Sequence, residues 1–409
     1  MDYQVFELSN GIRVLFKASP SSISHSCILV NAGSRDEGLE KPGLAHFIEH
    51  LLFKRTARRN TSQILNRLEV IGADLNAYTT KEYTCIHASF LTPYLERSLD
   101  LFEDIMFHSV FPEDEMDKEK GVVLDEIASY LDQPEEAIQD DFEELLFSGH
   151  PMGSNILGTP ESVGSFTRRD LLDFTKANYL TREIVIGIYG NYTPKQVLRT
   201  AEKIFGRLEP NDPARVRERP VSYSPAFREA EKSISQTHCV IGNRAYDCHH
   251  PNKVALLLLN NLLGGNGMSS RLNLQVREKY GIAYTIESNY TPFTDTGIFT
   301  IYYGTDTEKN DRAMRIIHRE LKKLRECRLG AVQLHQAKQK FNGQIALGEE
   351  NRLHLVISLC KSLLDYNRAD TLEEVIAKVN AVSADQLLEV ANEILEPTKL
   401  TTLLFKAED

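Results

Sequence analysis

The sequence predicts an α+β protein assembled from two homologous domains, each a mostly antiparallel sheet packed against helices. Three observations carry that expectation. Strands give way to helices twice along the chain, in the same order each time. Between the two runs lies "EPNDPARVRERPVSYSP", residues 209–225, with four prolines, mixed charges and no helical or strand period, as an interdomain linker would have. Short stretches also recur: "NAYT" at 76–79 returns as "IAYT" at 282–285, and one helix in each half ends in a leucine pair, Leu51-Leu52 and Leu262-Leu263. The expected domains are therefore 1–208 and 226–409. A chain of 409 residues is too long for one ordinary core, which agrees with two.

The first half opens with a strand, a turn at Asn10-Gly11 and the strand "IRVLFKA". Strand "CILVNAG" leads to helix "GLAHFIEHLLF", a second helix "SQILNRLEVIG", then strands "NAYTTKE" and "YTCIHASFL". Apolar residues at three-to-four spacing predict helices over 93–108, 113–131, 134–147 and 168–178, before strand "IVIGIYGN". The second half repeats the order with strand "HCVIGNRAY", helices "NKVALLLLNNLLGG" and "SSRLNLQVREKYG", and strands "IAYTIESNY" and "GIFTIYYGT". Helices over 307–327, 330–365, 371–380 and 384–395 precede a final strand, "LTTLLFKA". The glycine-rich turn "LGGNGMSS" is expected to start a helix at Ser269 or Ser270. No lysine-serine pair follows its glycines to suggest a phosphate loop.

Composition narrows the function classes. No uninterrupted apolar run approaches the length of a membrane span, so no membrane insertion is expected. The first twenty residues lack a basic segment, an apolar core and a small-residue cleavage site. If the sequence is the whole native chain, a cytoplasmic location follows; a chain trimmed of its signal would look the same. The net charge of -11 argues against nucleic acid as a partner and would suit basic or unselected peptides. The six cysteines are scattered and form no C-x-x-C pair, which excludes a zinc ribbon and points to reduced, mostly buried thiols.

The chemistry concentrates in "GLAHFIEHLLF". On a helix His46 and His50 are one turn apart and project from one face, with Glu49 beside them. Two imidazoles at i and i+4 can grip one zinc ion, and a neighbouring carboxylate can act on water at the metal. The glutamate precedes the second histidine, giving the inverted order H-x-x-E-H. The plainer reading is a packed helix with polar residues on its free face. Superposing the two leucine pairs sets Leu257, Asn260 and Asn261 where the first half has His46, Glu49 and His50, so the second copy keeps the helix and loses the chemistry. Zinc needs a third protein ligand, and helix "EDEMDKEKGVVLDEIASYL" offers Glu119 and Glu126, seven apart and on one face. Val122, Val123 and Ile127 would turn that helix inward, where a carboxylate calls for a metal or a cation as companion.

This pattern resembles the pitrilysin-type inverted zinc peptidases, the family of insulin-degrading enzyme and the mitochondrial processing peptidase. In that family the third ligand is a glutamate about 76 residues beyond the second histidine, and Glu126 stands 76 positions after His50. A further glutamate seven residues upstream is usual, and Glu119 fills that place. The resemblance implies that His46, His50 and Glu126 bind one Zn2+ per chain, that Glu49 is the general base, and that Glu119 supports the ligands from behind. In the second half "GGNGMSSRLNLQVREKYGIAYTIES" resembles the family's arginine-tyrosine segment, which implies substrate contacts for Arg277 and Tyr284. "GADLNAYTTKEYTCIHASF" resembles the edge strand to which a peptide is added, with Asn76, Ala77 and Tyr78 along that edge. The resemblance covers both halves in order and matches the family's short members.

Several expectations follow from it. The reaction is peptide-bond hydrolysis, Glu49 moving the proton of water to the leaving amine while Tyr284 and Arg277 hydrogen-bond the oxyanion or adjacent backbone. Peptide substrates are held extended by strand addition, which favours size and extended shape over sequence. Short members pair, and a chain with both the zinc motif and the arginine-tyrosine pair is expected to form a homodimer. The alternatives are a catalytically silent assembly subunit of the same fold and a processing peptidase specific for one precursor. The segment "FKRTARRNTSQ" departs from the pattern in being unusually basic; it is expected to face acidic substrate residues or solvent.

Overall fold

A computed structural model describes residues 3–211, 216–221 and 223–408. Its strands form two sheets. In chain order the strands are β1 Gln4–Glu7, β2 Arg13–Ala18, β3 Ile23–Val30, β4 Asp74–Thr79, β5 Thr84–Leu91, β6 Ile184–Gly190, β7 Phe227–Lys232, β8 Thr237–Ala245, β9 Ala283–Pro292, β10 Gly297–Thr305 and β11 Thr401–Ala407. The first sheet has the order β1-β2-β6-β3-β5-β4, and the second β7-β11-β8-β10-β9. Both are mixed: β2 pairs with β6 and β7 with β11 in parallel, and every other pairing is antiparallel. Dropping β1, the two sheets have one topology. β2, β3, β4, β5 and β6 take the places that β7, β8, β9, β10 and β11 take in the second. The duplication expected from the echoes "NAYT" and "IAYT" is thus present in the strand order, and both echoes fall on edge strands, β4 and β9.

The chain divides into two compact units. The first comprises Met1–Ala128, Ser154–Arg217 and Leu347–Thr371, and the second Ser129–Gly153, Glu218–Ala346 and Leu372–Asp409. Each half of the sequence therefore gives one helix to the other half's sheet. The helices are α1 Leu44–Leu52, α2 Thr61–Glu69, α3 Leu95–Phe107, α4 Glu113–Leu131 and α5 Pro134–Leu146, with the later ones named by residue. Ala137, Ile138, Phe142 and Leu146 of α5 join the core of the second unit with Val240, Ile298, Tyr302 and Phe405. Val356, Ile357, Cys360 and Leu363 of helix Arg352–Tyr366 join the first with Leu15, Cys27, Leu29 and Val185. In order both are the third helix after the second hairpin of their half. Gly187 of β6 makes room for this packing, since a Cβ there would stand 2.5 Å from Cys360 Sγ and 2.7 Å from Cys27 Sγ.

The opposite face of the first sheet carries the main core of its unit. Val14, Phe16, Ile28, Ile86 and Ile186 meet Phe47, Ile48, Leu99 and Phe102. Such burial of large side chains, at about 1.5–3 kcal/mol each, is what holds α1 and α3 on the sheet. The basic segment after α1 is in part matched internally and in part faces solvent, Arg55 and Arg58 being exposed. Arg58 pairs with Glu103 (2.6 Å), and Arg59 with Asp104 and Asp100 (2.6 Å each), all on α3. Asp104 has no exposed surface, so its partners are obligatory.

The sequence reading differs from the structure in a few elements. The run 330–365 is two helices, Ala331–Gly348 and Arg352–Tyr366, broken where Asn351 caps the second by accepting from the His354 N–H at 3.2 Å. Helix Pro194–Phe205 was not anticipated, although Thr193 and Gln196 form a capping box there. Neither was β7, whose charged sequence "FREAEK" lies on a sheet edge and shows no apolar alternation. Of the predicted linker 209–225, residues 212–215 and 222 lie outside the described residues, and the others carry neither helix nor strand. Five of the six cysteines are buried, only Cys327 is exposed, and all are free. Among the described residues no helix is long and apolar enough to cross a membrane.

Candidate metal centre

α1 is amphipathic in the way its sequence dictates. Leu44, Ala45, Phe47, Ile48, Leu51 and Leu52 pack into the core, and His46, itself buried, shares the other face with half-buried Glu49 and His50. Its start is fixed by Gly43, at φ 92°, where a Cβ would lie 2.6 Å from the Leu157 carbonyl oxygen. Gly43 has no side chain to cap the helix, and Glu37 does so from outside. Its two carboxylate oxygens accept from the Gly43 N–H (2.9 Å) and the Ala45 N–H (2.6 Å). Burial pushes the Glu37 carboxyl up to about 8, against the pull of those two N–H groups.

His46 Nε2 and His50 Nε2 face each other at 3.2 Å. Glu126 Oε2, from α4, lies 3.4 Å from His50 Nε2 and 3.8 Å from His46 Nε2. Among the described residues these three form the one group able to share a metal ion, with ligand atoms all within 4.8 Å of one another. The spacing suits zinc. Two ligand atoms about 2.0–2.1 Å from a tetrahedral ion stand about 3.3 Å apart, and two imidazoles plus one carboxylate with a position left open is a catalytic-type donor set. Burial and the neighbouring His50 push His46 down to about 3, so it is a neutral imidazole at ordinary pH, the form a metal needs. The His46 Nδ1 is buried with no hydrogen-bond partner.

His50 is braced from behind. Its Nδ1 is 2.9 Å from Glu119 Oε1, and the other Glu119 oxygen accepts from Lys54 Nζ at 2.6 Å. Burial acts to lower His50, but the Glu119 hydrogen bond and the charges of Glu126, Glu119 and Glu49 prevail and raise it. For Glu119 burial acts upward, and the hydrogen bonds from His50 and Lys54 outweigh it, so the carboxyl is lowered. Glu119 and Glu126 share a face of α4 with buried Met116, Val123 and Ile127; Val122, expected to face inward, is exposed. Glu49 points to the edge strand: its Oε2 accepts from Thr79 Oγ1 of β4 at 2.6 Å. Burial raises the Glu49 carboxyl, with the Thr79 bond opposing it.

Asn76, Ala77 and Tyr78 lie on β4, at the free edge of the first sheet. The Ala77 N–H donates to Asn76 Oδ1 (2.8 Å), and the Tyr78 ring meets Tyr83 edge-on at 5.9 Å. Arg277 and Tyr284 belong to the second unit. There they touch, the Arg277 guanidinium standing 5.2 Å over the Tyr284 ring. Arg277 lies on a π-helical turn, Asn273–Glu278, and the Tyr284 side chain is mostly in solvent, 80% exposed for the residue. Eight of the ten anticipated residues are thus in the first unit, and five of those, His46, Glu49, His50, Glu119 and Glu126, are linked around one point. Sequence reasoning missed Thr79, Lys54 and Glu37. The contacts of Thr79 and Lys54 span 30 and 65 positions, and no local spacing announces them.

Comparison with known proteins places the whole chain in a family. Residues 13–160 match the family model described as insulinase, peptidase family M16, and residues 165–341 the model described as the peptidase M16 inactive domain. The chain is 32% identical over 390 residues to an uncharacterized zinc protease, YmxG, of Bacillus subtilis, covering 95% of both chains. It is 28% identical over 404 residues to an uncharacterized zinc protease of Rickettsia felis, covering 98% of this chain and 97% of that one. In fold it is similar to a peptidase M16 inactive domain from Pseudomonas fluorescens, with a TM-score of 0.92 at 22% identity over 100% of this chain and 98% of the other. A protease from Helicobacter pylori gives a TM-score of 0.91 at 23% identity, over 99% of each chain. Two family models in tandem, relatives matched end to end and a shared topology lead to one conclusion: the chain belongs to the pitrilysin-type M16 peptidase family, in its short bacterial form.

Proposed function

We propose that this chain is a zinc-dependent endopeptidase that hydrolyses peptides or unfolded segments bound in extended form. The observation that carries it is the meeting of His46, His50 and Glu126 around one point with Glu49 fixed alongside. A zinc ion bound by those three residues would supply Lewis acidity, activating water and polarising the scissile carbonyl. Glu49 takes a proton from the attacking water as its oxygen bonds to the carbonyl carbon, and delivers it to the amine as the C–N bond breaks. The free edge of β4 offers backbone groups to an extended peptide, whose affinity then depends little on side chains. Tyr284 and Arg277, already in contact, act as one donor pair toward the developing oxyanion or the adjacent backbone. The working form in this reading is a homodimer, as the resemblance to short family members implies. Metal analysis and cleavage of a mixed peptide pool, with and without chelator, test the reading. Wild type should hold one zinc per chain and cut, and Glu49→Gln should keep the zinc and lose cleavage by at least about 100-fold. A metal-free wild type, or a fully active Glu49→Gln, would falsify it.

A further inference from the structure

We propose that Thr79 is a positioning residue for the general base: its hydroxyl, on the last residue of edge strand β4, fixes the Glu49 carboxylate in the orientation that hydrolysis requires. This rests on the peptidase reading above. The Thr79 Oγ1–Glu49 Oε2 bond of 2.6 Å is the single protein hydrogen bond to that carboxylate among the described residues. A glutamate on a helix has three side-chain torsions, and its last one is soft. Pinning one oxygen removes most of that freedom and leaves Oε1 without a protein donor, available to the proton of water. The donor itself is on rigid backbone. β4 pairs with β5 through Thr79↔Thr84, and the turn beyond is closed by the Thr80 N–H donating to the Tyr83 carbonyl at 2.9 Å.

The placement has a second consequence. Asn76, Ala77 and Tyr78 precede Thr79 on the same strand, so a peptide added along this edge would pair with the strand that aims the base. Occupancy of the edge and orientation of Glu49 become linked through one hydroxyl. A structural role alone would make Thr79 a tie between α1 and β4, and the two roles separate experimentally.

The test compares wild type, Thr79→Val, Thr79→Ser, Glu49→Ala and the double variant Thr79→Val/Glu49→Ala, with Thr79→Ala replacing Thr79→Val should the latter not fold. Three quantities are read: zinc content, kcat and KM on an internally quenched peptide, and thermal unfolding of the metal-free proteins. Thr79→Val is expected to keep its zinc and a KM within about 2-fold, and to lose kcat by about 10–100-fold, a share of what a positioned base contributes. Thr79→Ser, which keeps the donor, should return to within about 3-fold of wild type. The Tm shift from Thr79→Val should disappear in the Glu49→Ala background, because the partner is gone. An unchanged kcat in Thr79→Val, a Thr79→Ser as slow as Thr79→Val, or equal Tm shifts in both backgrounds overturns the proposal while leaving the peptidase reading intact. A wild type with neither zinc nor cleavage overturns both.

Discussion

Acid should weaken zinc binding less steeply than it would with two ordinary histidines. A metal displaces whatever protons its ligands carry, so affinity falls as pH drops through each ligand's own pKa. The two imidazoles here are unequal. His50 is raised, burial being outweighed by the Glu119 bond and the charges of Glu126, Glu119 and Glu49, so it takes up its proton above the usual 6.5. His46, pushed down to about 3 by burial and by His50, stays neutral throughout the physiological range. With Nε2 atoms 3.2 Å apart, a second proton would set two imidazolium groups against each other, so the pair holds one. Between pH 6.5 and 5 the affinity should therefore fall by no more than about 1.5 decades, the limit of about one decade or 1.4 kcal/mol per pH unit that a single proton allows. Two independent histidines titrating at 6.5 would lose about 2.4 decades over the same interval. Competition against a chromophoric chelator, corrected for the chelator's own protonation, measures the slope. A loss above 2 decades would refute the unequal pair.

Two further outcomes follow from the surroundings of the site. Glu119→Gln leaves a neutral amide between His50 and Lys54, both donors, and can accept well from only one; zinc affinity should fall by about 10–100-fold, read by the same competition, and an unchanged affinity would remove Glu119 from its bracing role. Asp104→Ala strips a fully buried carboxylate from Arg59 and Thr56, which should cost about 3–5 kcal/mol in denaturant unfolding; a loss under 1 kcal/mol would show that solvent replaces the partners.

Much of this was legible in the sequence, and the reason is periodicity. α1 and α4 bury one face each, so helical spacing alone places His46 with His50 and Glu119 with Glu126 on shared faces. That α4 would bring its face to α1 was not deducible from spacing; the expectation came from resemblance, and in the structure Glu126 Oε2 lies 3.4 Å from His50 Nε2. The exchange of α5 and helix Arg352–Tyr366 had no local signature, because an amphipathic helix does not encode which sheet receives it. The internal ion pairs of the basic segment were hidden for the same reason. Arg58 and Arg59 answer acids on α3 more than forty positions away, and charge read along the chain could not pair them.

The second copy of α1 shows which part of the site belongs to the scaffold. In helix Lys253–Leu263, Asn261 occupies the place of His50, and its Nδ2 donates to Gln344 Oε1 at 2.6 Å. Gln344 belongs to helix Ala331–Gly348, the counterpart of α4 by chain order, so the bond repeats the one between His50 and Glu119 in neutral form. A polar cross-brace between these two helices is thus common to both units, and a metal is not needed to justify it. What the first unit adds is imidazoles in place of Leu257 and Asn261, carboxylates at 49, 119 and 126, and Lys54 to pair with one of them. A buried carboxylate such as Glu119 is costly without a partner, and the buried His46 Nδ1 lacks a hydrogen bond. The amide version is the less costly way to hold the fold. Retention of imidazoles and carboxylates in one copy alone is what the zinc site proposed above would account for.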